Sequence, residues 1–322
     1  MYFFGGLYYT DVWSAVFVLA GYLAVLKRRP WVAGVYCCAA MGFRQTNVLW
    51  TVFLAGVWVV GKLKALSAKP LDMSVEKAGV VDYITTPFAL VLAAVGDPLY
   101  TLQAALPFLP AVAAFAGFLV WNNFTIVLGD AGAHVAELHT PQLLYFTAFT
   151  AFFSFPLYLR YLPALLPPSL TTLALLPPIA VLIAASVKFN TLLHPYLLAD
   201  NRHYTFYIFS KIIRPLPWWV PVPVYAVAGM LQYWAVAAGV SVSWMLLWGG
   251  AMAATLVTAP LVEPRYFVVA WLLWRCNVRA GAGERWGETV WSAVVNAVTT
   301  WVFLERGFEW ASEPGNVQRF MW

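Results

Sequence analysis

The stretches 138–159, 161–187 and 215–262 contain no Asp, Glu, Lys or Arg. Each is long enough to cross a bilayer, since roughly 20 apolar residues in a helix span about 30 Å of hydrocarbon. Inside that hydrocarbon every backbone N–H and C=O must find a partner within the protein, which leaves helices or a closed barrel. The alternating apolar and polar pattern of a barrel strand is absent, so the chain is predicted to be an all-α, polytopic transmembrane helical bundle.

Composition excludes the soluble alternative. Of 322 residues 62% are apolar and 10% charged, with a mean hydropathy of +0.74. A soluble domain carries about 25% charged residues to solvate its surface. The net charge of +5 does not call for nucleic acid, because Lys and Arg gathered in cytosolic loops account for it. Cys37, Cys38 and Cys276 lie in apolar segments without metal-ligand spacing. Aromatic residues reach 17%, more than interfacial belts require, and part of that excess suits a cavity for lipid or sugar.

The apolar runs predict spans at 7–26, 31–61, 107–128, 141–159, 162–187, 216–236, 241–261, 266–278 and 288–305. An additional segment at 84–106, broken by Pro87, Asp97 and Pro98, would lie along the interface. The 31–61 run is interrupted by Arg44, Gln45, Thr46 and Asn47, which predicts two helices meeting at a polar knot. Basic clusters at Lys27–Arg29 and Lys62–Lys77 put those flanks in the cytosol and the knot on the opposite side. Alternation then places 129–140, 188–215 and 262–265 on the non-cytosolic side. Lys188, Arg202, Lys211 and Arg214 break the positive-inside pattern there, which suggests a task for them. No linker or internal repeat is evident, so 1–322 reads as one membrane domain. Met1 is followed by apolar residues without a basic n-region, and no signal peptide is predicted.

Polar residues concentrate in a few clusters. Tyr8-Tyr9-Thr10-Asp11 lies at the mouth of the first span, where Asp11 is either a boundary residue or a ligand for sugar hydroxyls. Arg44 at bilayer depth costs about 2.5–3.5 kcal/mol unless it faces a partner or a wet cavity, and phosphate is its natural anionic partner. Asp130, His134, Glu137 and His139 form a third group that matches no zinc signature. The densest patch is 194–207, with Asp200, Asn201, Arg202, His203, Tyr204 and Tyr207; its aromatic faces suit sugar rings and its Arg, Asn and His suit phosphate or hydroxyls. Glu263-Pro264-Arg265-Tyr266 reads as an internal ion pair.

At these clusters the sequence resembles the family of dolichyl-phosphate-glucose-dependent α-1,2-glucosyltransferases, which add the last glucose to the N-glycan precursor in the endoplasmic reticulum. The matching stretches are LYYTD at 7–11, FRQTN at 43–47, LADNRHYTFY at 198–207, EPRYF at 263–267 and QRFMW at 318–322, with weaker similarity across 129–146. The resemblance implies a GT-C type glycosyltransferase with luminal loops, embedded in the endoplasmic reticulum membrane. Its donor would be dolichyl phosphate glucose and its acceptor the diglucosylated dolichol-linked oligosaccharide, with no nucleic acid involved. A β-linked donor and an α-linked product imply inversion. No cofactor is implied, and a divalent-metal requirement is left open. Such a displacement needs a carboxylate base and cations for the departing phosphate. Arg44, Asn201, Arg202 and His203 are the candidates for the donor phosphate. Tyr9, Gln45, Asn47, Tyr204 and Tyr207 are the candidates for sugar or acceptor contact. Asp11, Asp130, Glu137 and Asp200 are candidate bases, with none preferred.

Relatives in the family carry an acidic Met-Asp-Glu motif in a first luminal loop that has no counterpart after Met1. The chain is therefore expected to be an N-terminally shortened member with little or no transferase activity by itself. A transporter or channel-like protein, a transferase for another dolichol-linked sugar and an inactive scaffold are the competing readings.

Overall fold

The computed structural model describes residues 9–126, 137–166, 170–192, 197 and 200–321, with backbone alone for 170–173. Among these residues the architecture is helical apart from one two-stranded antiparallel ribbon that pairs Phe308 with Gln318 and Glu309 with Val317.

Helices α1 (Asp11–Leu26) and α2 (Pro30–Phe43) form a hairpin. Arg28 turns the chain with φ of 58°, and Pro30 opens α2 where its missing N–H costs nothing. The next helix, α3, runs Asn47–Leu66, so α2 and α3 meet at Arg44–Thr46 as the polar interruption predicts. Gly34 lets α2 press on a 3-10 turn at Leu106–Phe108: a Cβ there would lie 2.0 Å from the Pro107 carbonyl oxygen.

Helix α4 (Asp82–Gly96) carries Pro87 inside it, so the expected break at Pro87 does not occur. The interruption comes at Asp97, whose carboxylate accepts from the Tyr100 amide and caps α5 (Pro98–Ala105). Through the 3-10 turn α5 continues into α6 (Leu109–Trp121), giving one apolar run Pro98–Trp121 across the expected boundary at 106 and 107. Helix α7 (Pro141–Phe153) ends earlier than its predicted span. At Ser154 the chain bends by 88° into α8 (Phe155–Tyr158) and a 3-10 segment, Leu159–Leu165. Ser154 is buried and its hydroxyl accepts from the Trp271 indole at 2.9 Å, which fixes the corner. Then follow α9 (Leu170–Asn190), α10 (Tyr204–Tyr207), which runs into a π-helical turn at Ile208–Ile213, α11 (Pro221–Ala237), α12 (Val242–Leu256), α13 (Pro264–Asn277) and α14 (Ala282–Glu305).

The helices pack around an aromatic core that includes Phe53, Phe108, Phe146 and Trp274, all almost wholly buried. Tyr22 ties three of them: its hydroxyl donates to Asn277 at 3.0 Å and accepts from the Trp244 indole at 3.1 Å. The outside is apolar too. Leu92, Val95, Trp121, Leu182 and Trp286 are each 70% or more exposed, a surface that water does not tolerate in quantity and acyl chains do. By length and composition α3 and the run Pro98–Trp121 each suffice to cross a membrane. The chain is a polytopic, all-α membrane protein.

The ends of the bundle differ in charge. At one end Lys27, Arg28, Arg29, Lys62, Lys64, Lys69 and Lys77 close α1 and α3. Asp72, with a fully buried side chain, accepts from Lys64 at 3.0 Å and from the Ser243 amide at 3.2 Å, capping α12. Burial pushes that carboxyl up, but hydrogen bonds from Ser243, Ser241 and Lys64 outweigh it and hold it below the usual carboxylate range. At the opposite end the start of α1, the α2–α3 break, the start of α13, the 200–207 tract and the 318–321 segment come together.

Candidate functional site at the polar end of the bundle

The break between α2 and α3 exposes polar groups that a continuous helix would have satisfied. Asn47 takes over: its amide donates to the Ala40 carbonyl at 2.7 Å and to the Ser14 hydroxyl at 2.8 Å, locking the knot to α1. Arg44, just before it, forms an ion pair with Asp11 in the first turn of α1. Asp11 is 5% exposed and the Arg44 side chain 25%, so the pair sits at the edge of a solvent-reachable space.

That space is a cavity of about 570 Å³. Asp11, Ser14, Arg44, Gln45 and Asn47 form one wall; Thr255, Thr258, Arg265 and Tyr266 form the facing wall, with Leu49, Phe115 and Val269 supplying apolar surface. Arg44 stands 5.1 Å from the Tyr266 ring centroid and Arg265 stands 5.5 Å from the same ring. Two guanidinium groups thus flank one tyrosine. Glu263 pairs with Arg265, as expected for this cluster, and keeps it charged in place.

The wall that carries Thr258 is irregular backbone between α12 and α13. Buried Gln142 holds it, donating to the Ala259 carbonyl at 2.9 Å and to the Leu261 carbonyl at 2.8 Å. The His139 amide donates to the Val257 carbonyl at 2.8 Å, and its ring accepts from the Leu192 amide at 3.4 Å. Burial pushes the His139 imidazole below its ordinary range, against the Pro260 and Ala259 carbonyls that favour its protonated form. Among the described residues no group of three or more His, Cys, Asp or Glu side chains is arranged to hold a metal.

Beside the cavity lies a second polar cluster. Arg202 binds Asp200 with two hydrogen bonds, at 2.9 and 2.7 Å, while His203 lies 3.6 Å from the same carboxylate. The Arg202 hydrogen bonds hold the Asp200 carboxyl below its usual range, and Asp200 pushes the guanidinium up in return. Trp310 stacks on Arg202 at 4.9 Å and donates its indole N–H to Asn201 at 2.7 Å. Tyr204 sits on the short helix α10, and the Tyr207 ring packs 5.8 Å from Phe320. Tyr9 joins the clusters: its ring lies 5.3 Å from Arg265 and its hydroxyl donates to the Met321 sulfur at 3.8 Å.

Asp11, Arg44, Gln45 and Asn47 therefore share the cavity. Tyr9, Asp200, Asn201, Arg202, His203, Tyr204 and Tyr207 belong to the adjoining cluster, so the expected phosphate set divides between two places. Glu137 is exposed and outside the cavity lining, and Asp130 and His134 lie outside the described residues. Arg265, Tyr266, Thr255, Thr258 and Trp310 were not among the expected site residues. Arg265 and Tyr266 carried a legible signal, since both lie in the EPRYF stretch at 263–267; Thr255, Thr258 and Trp310 carried none.

The model of the DIE2/ALG10 family matches residues 1–276. Proteins from Mus musculus and Homo sapiens are each 33% identical across the whole chain, which covers 70% of each of them. One from Aspergillus fumigatus is 30% identical across the whole chain, which covers 76% of it. All three are named Dol-P-Glc:Glc(2)Man(9)GlcNAc(2)-PP-Dol alpha-1,2-glucosyltransferase. No solved structure matches.

Proposed function

The chain belongs to the DIE2/ALG10 family, and on that premise we propose that it is an α-1,2-glucosyltransferase. It takes glucose from dolichyl phosphate glucose and transfers it to a diglucosylated dolichol-linked oligosaccharide, in the endoplasmic reticulum membrane with a GT-C type arrangement. The observation that carries this reading is the convergence at one end of the bundle of five separated stretches that belong to the quoted motifs, at 9–11, 43–47, 200–207, 263–267 and 318–321.

The chemistry explains why guanidinium groups belong there. In an inverting displacement the acceptor hydroxyl attacks the anomeric carbon and the bond from that carbon to the phosphate oxygen breaks. A carboxylate takes the hydroxyl proton. The carrier phosphate leaves as a monoester with one more negative charge than it had as a diester, so fixed cations at the leaving oxygen bind the transition state more tightly than the substrate. Arg44 and Arg265, oriented on Tyr266 and desolvated in part, meet that need, and Arg202 and His203 serve the approach to it. The carboxylate that takes the proton is not assigned: Asp11 and Asp200 are engaged by arginines.

Expression in cells that lack the glucosyltransferase tests the reading. The expected result is conversion of the diglucosylated lipid-linked precursor to the triglucosylated form, read by mass. Persistence of the diglucosylated form contradicts it.

A further inference from the structure

The segment after α14 does not trail away from the bundle. Arg319 donates to the Phe303 carbonyl at 3.0 Å and to the Leu304 carbonyl, capping the end of α14 with a cation where its dipole is negative. The ribbon Phe308–Gln318 then folds back. Met321 pairs as a strand would with the 200–207 tract: its amide donates to the Arg202 carbonyl at 2.8 Å and its carbonyl accepts from the Tyr204 amide at 3.0 Å. Trp310 meets the same tract from its side chain, stacking on Arg202 and donating to Asn201.

We propose that Trp310 and the Met321 backbone are positioning residues that fix the Arg202 guanidinium, so that the 308–321 segment is a working part of the substrate site. Arg202 has a long, rotamer-rich side chain. Its salt bridge to Asp200 comes from the same loop and moves with it, so that pair cannot place the loop against the bundle. The two backbone hydrogen bonds and the indole come from a distant part of the chain and can. A guanidinium held this way meets an anionic or hydroxyl-bearing ligand without first losing rotamer entropy, which favours binding over turnover. The inference rests on the reading of the 200–207 tract as a substrate contact.

Two measurements on the whole detergent-solubilised protein test it. One is cleavage by trypsin after Arg202, located by mass. The other is glucosyl transfer with separate KM and kcat. Trp310→Ala removes the stacking and the indole donor; Met321→Pro removes the amide donor to the Arg202 carbonyl; Met321→Leu keeps the backbone pair. We expect Trp310→Ala and Met321→Pro to open Arg202 to trypsin and raise KM about ten-fold, with kcat within about two-fold, as loss of one such contact near 1.4 kcal/mol requires. Met321→Leu and Trp310→Phe should resist trypsin as the wild type does. Trypsin resistance and unchanged KM in Trp310→Ala and Met321→Pro overturn the proposal. Opening without a change in KM also overturns it, because the segment would then hold a loop that substrate does not use. If the wild type transfers no glucose, the proposed function fails, and the tryptic pattern still decides whether the segment holds the loop.

Discussion

Two ion pairs at the same end of the bundle are built in opposite ways. Asp11 opens α1 and Arg44 lies in the break between α2 and α3, 33 residues apart, and the carboxylate is 5% exposed. Asp200 and Arg202 come from one loop, two residues apart, and are 22% and 35% exposed. The first pair is part of the packing: it joins α1 to the α2–α3 knot, and neither charge can be left alone without an uncompensated ion inside the bundle. The second is a local brace that water can replace. Burial, more than the count of hydrogen bonds, decides which pair the fold depends on.

The largest effect that would test this contrast is Asp11→Asn. It strands Arg44 and is expected to cost about 3–5 kcal/mol, read as loss of thermal stability in detergent. The double variant Asp11→Asn/Arg44→Gln leaves no ion unpaired and should recover much of that loss. An additive result would show that the pair is uncoupled.

Next is Gln142→Leu, which removes two donors from the Ala259 and Leu261 carbonyls. About 1–3 kcal/mol of stability in all is expected to go with these two part-buried acceptors left unsatisfied, together with transfer activity, because the cavity wall loses its staple. An unchanged melting temperature would place the wall's rigidity elsewhere.

Asp200→Asn comes lower. Its effect on stability should stay under about 1 kcal/mol, as partly exposed pairs contribute little. Acid should act on the pair in the same sense. The folded carboxyl is held below its unfolded value, so its contribution is complete above about pH 4 and fades as pH falls through the lowered value. A melting temperature followed downward from pH 6 should therefore lose this contribution only in the acid limb, and Asp200→Asn should flatten that limb. Trp310→Phe is the smallest change, keeping a ring beneath Arg202 while losing one donor to Asn201.

The same contrast governs what could be read before folding. The α2–α3 break was legible because Arg44, Gln45 and Asn47 interrupt an apolar run, and polar side chains at that depth demand a break or a partner. The partner was less so: Asp11 stood out as a lone acid at a helix start, open to several roles, and only packing gave it Arg44. The corner at Ser154 was masked because the run stays uncharged through it, although Ser154 and Pro156, at the start of α8, are the residue types that open a new helix. Pro87 misled in the other direction, sitting inside α4 while Asp97 made the break with its capping carboxylate. Trp310 was invisible as a site residue, and Met321, although inside the quoted QRFMW stretch, did not show its pairing, because their partners lie more than a hundred residues away and strand-like pairing of one residue has no periodicity to announce it. The quoted motifs did foretell the meeting place, although not the pairs formed there.

The central claim is that the cavity flanked by Arg44 and Arg265 receives the donor phosphate. It is tested most directly by glucosyl transfer from dolichyl phosphate glucose in reconstituted membranes, comparing wild type with Asp11→Asn/Arg44→Gln at equal amounts of folded protein. The expected result is a loss of at least about a hundred-fold in kcat/KM, the order found when a charge-stabilising group is removed from a reaction centre. Transfer by the double variant at the wild-type rate would contradict the claim and move the phosphate out of this cavity.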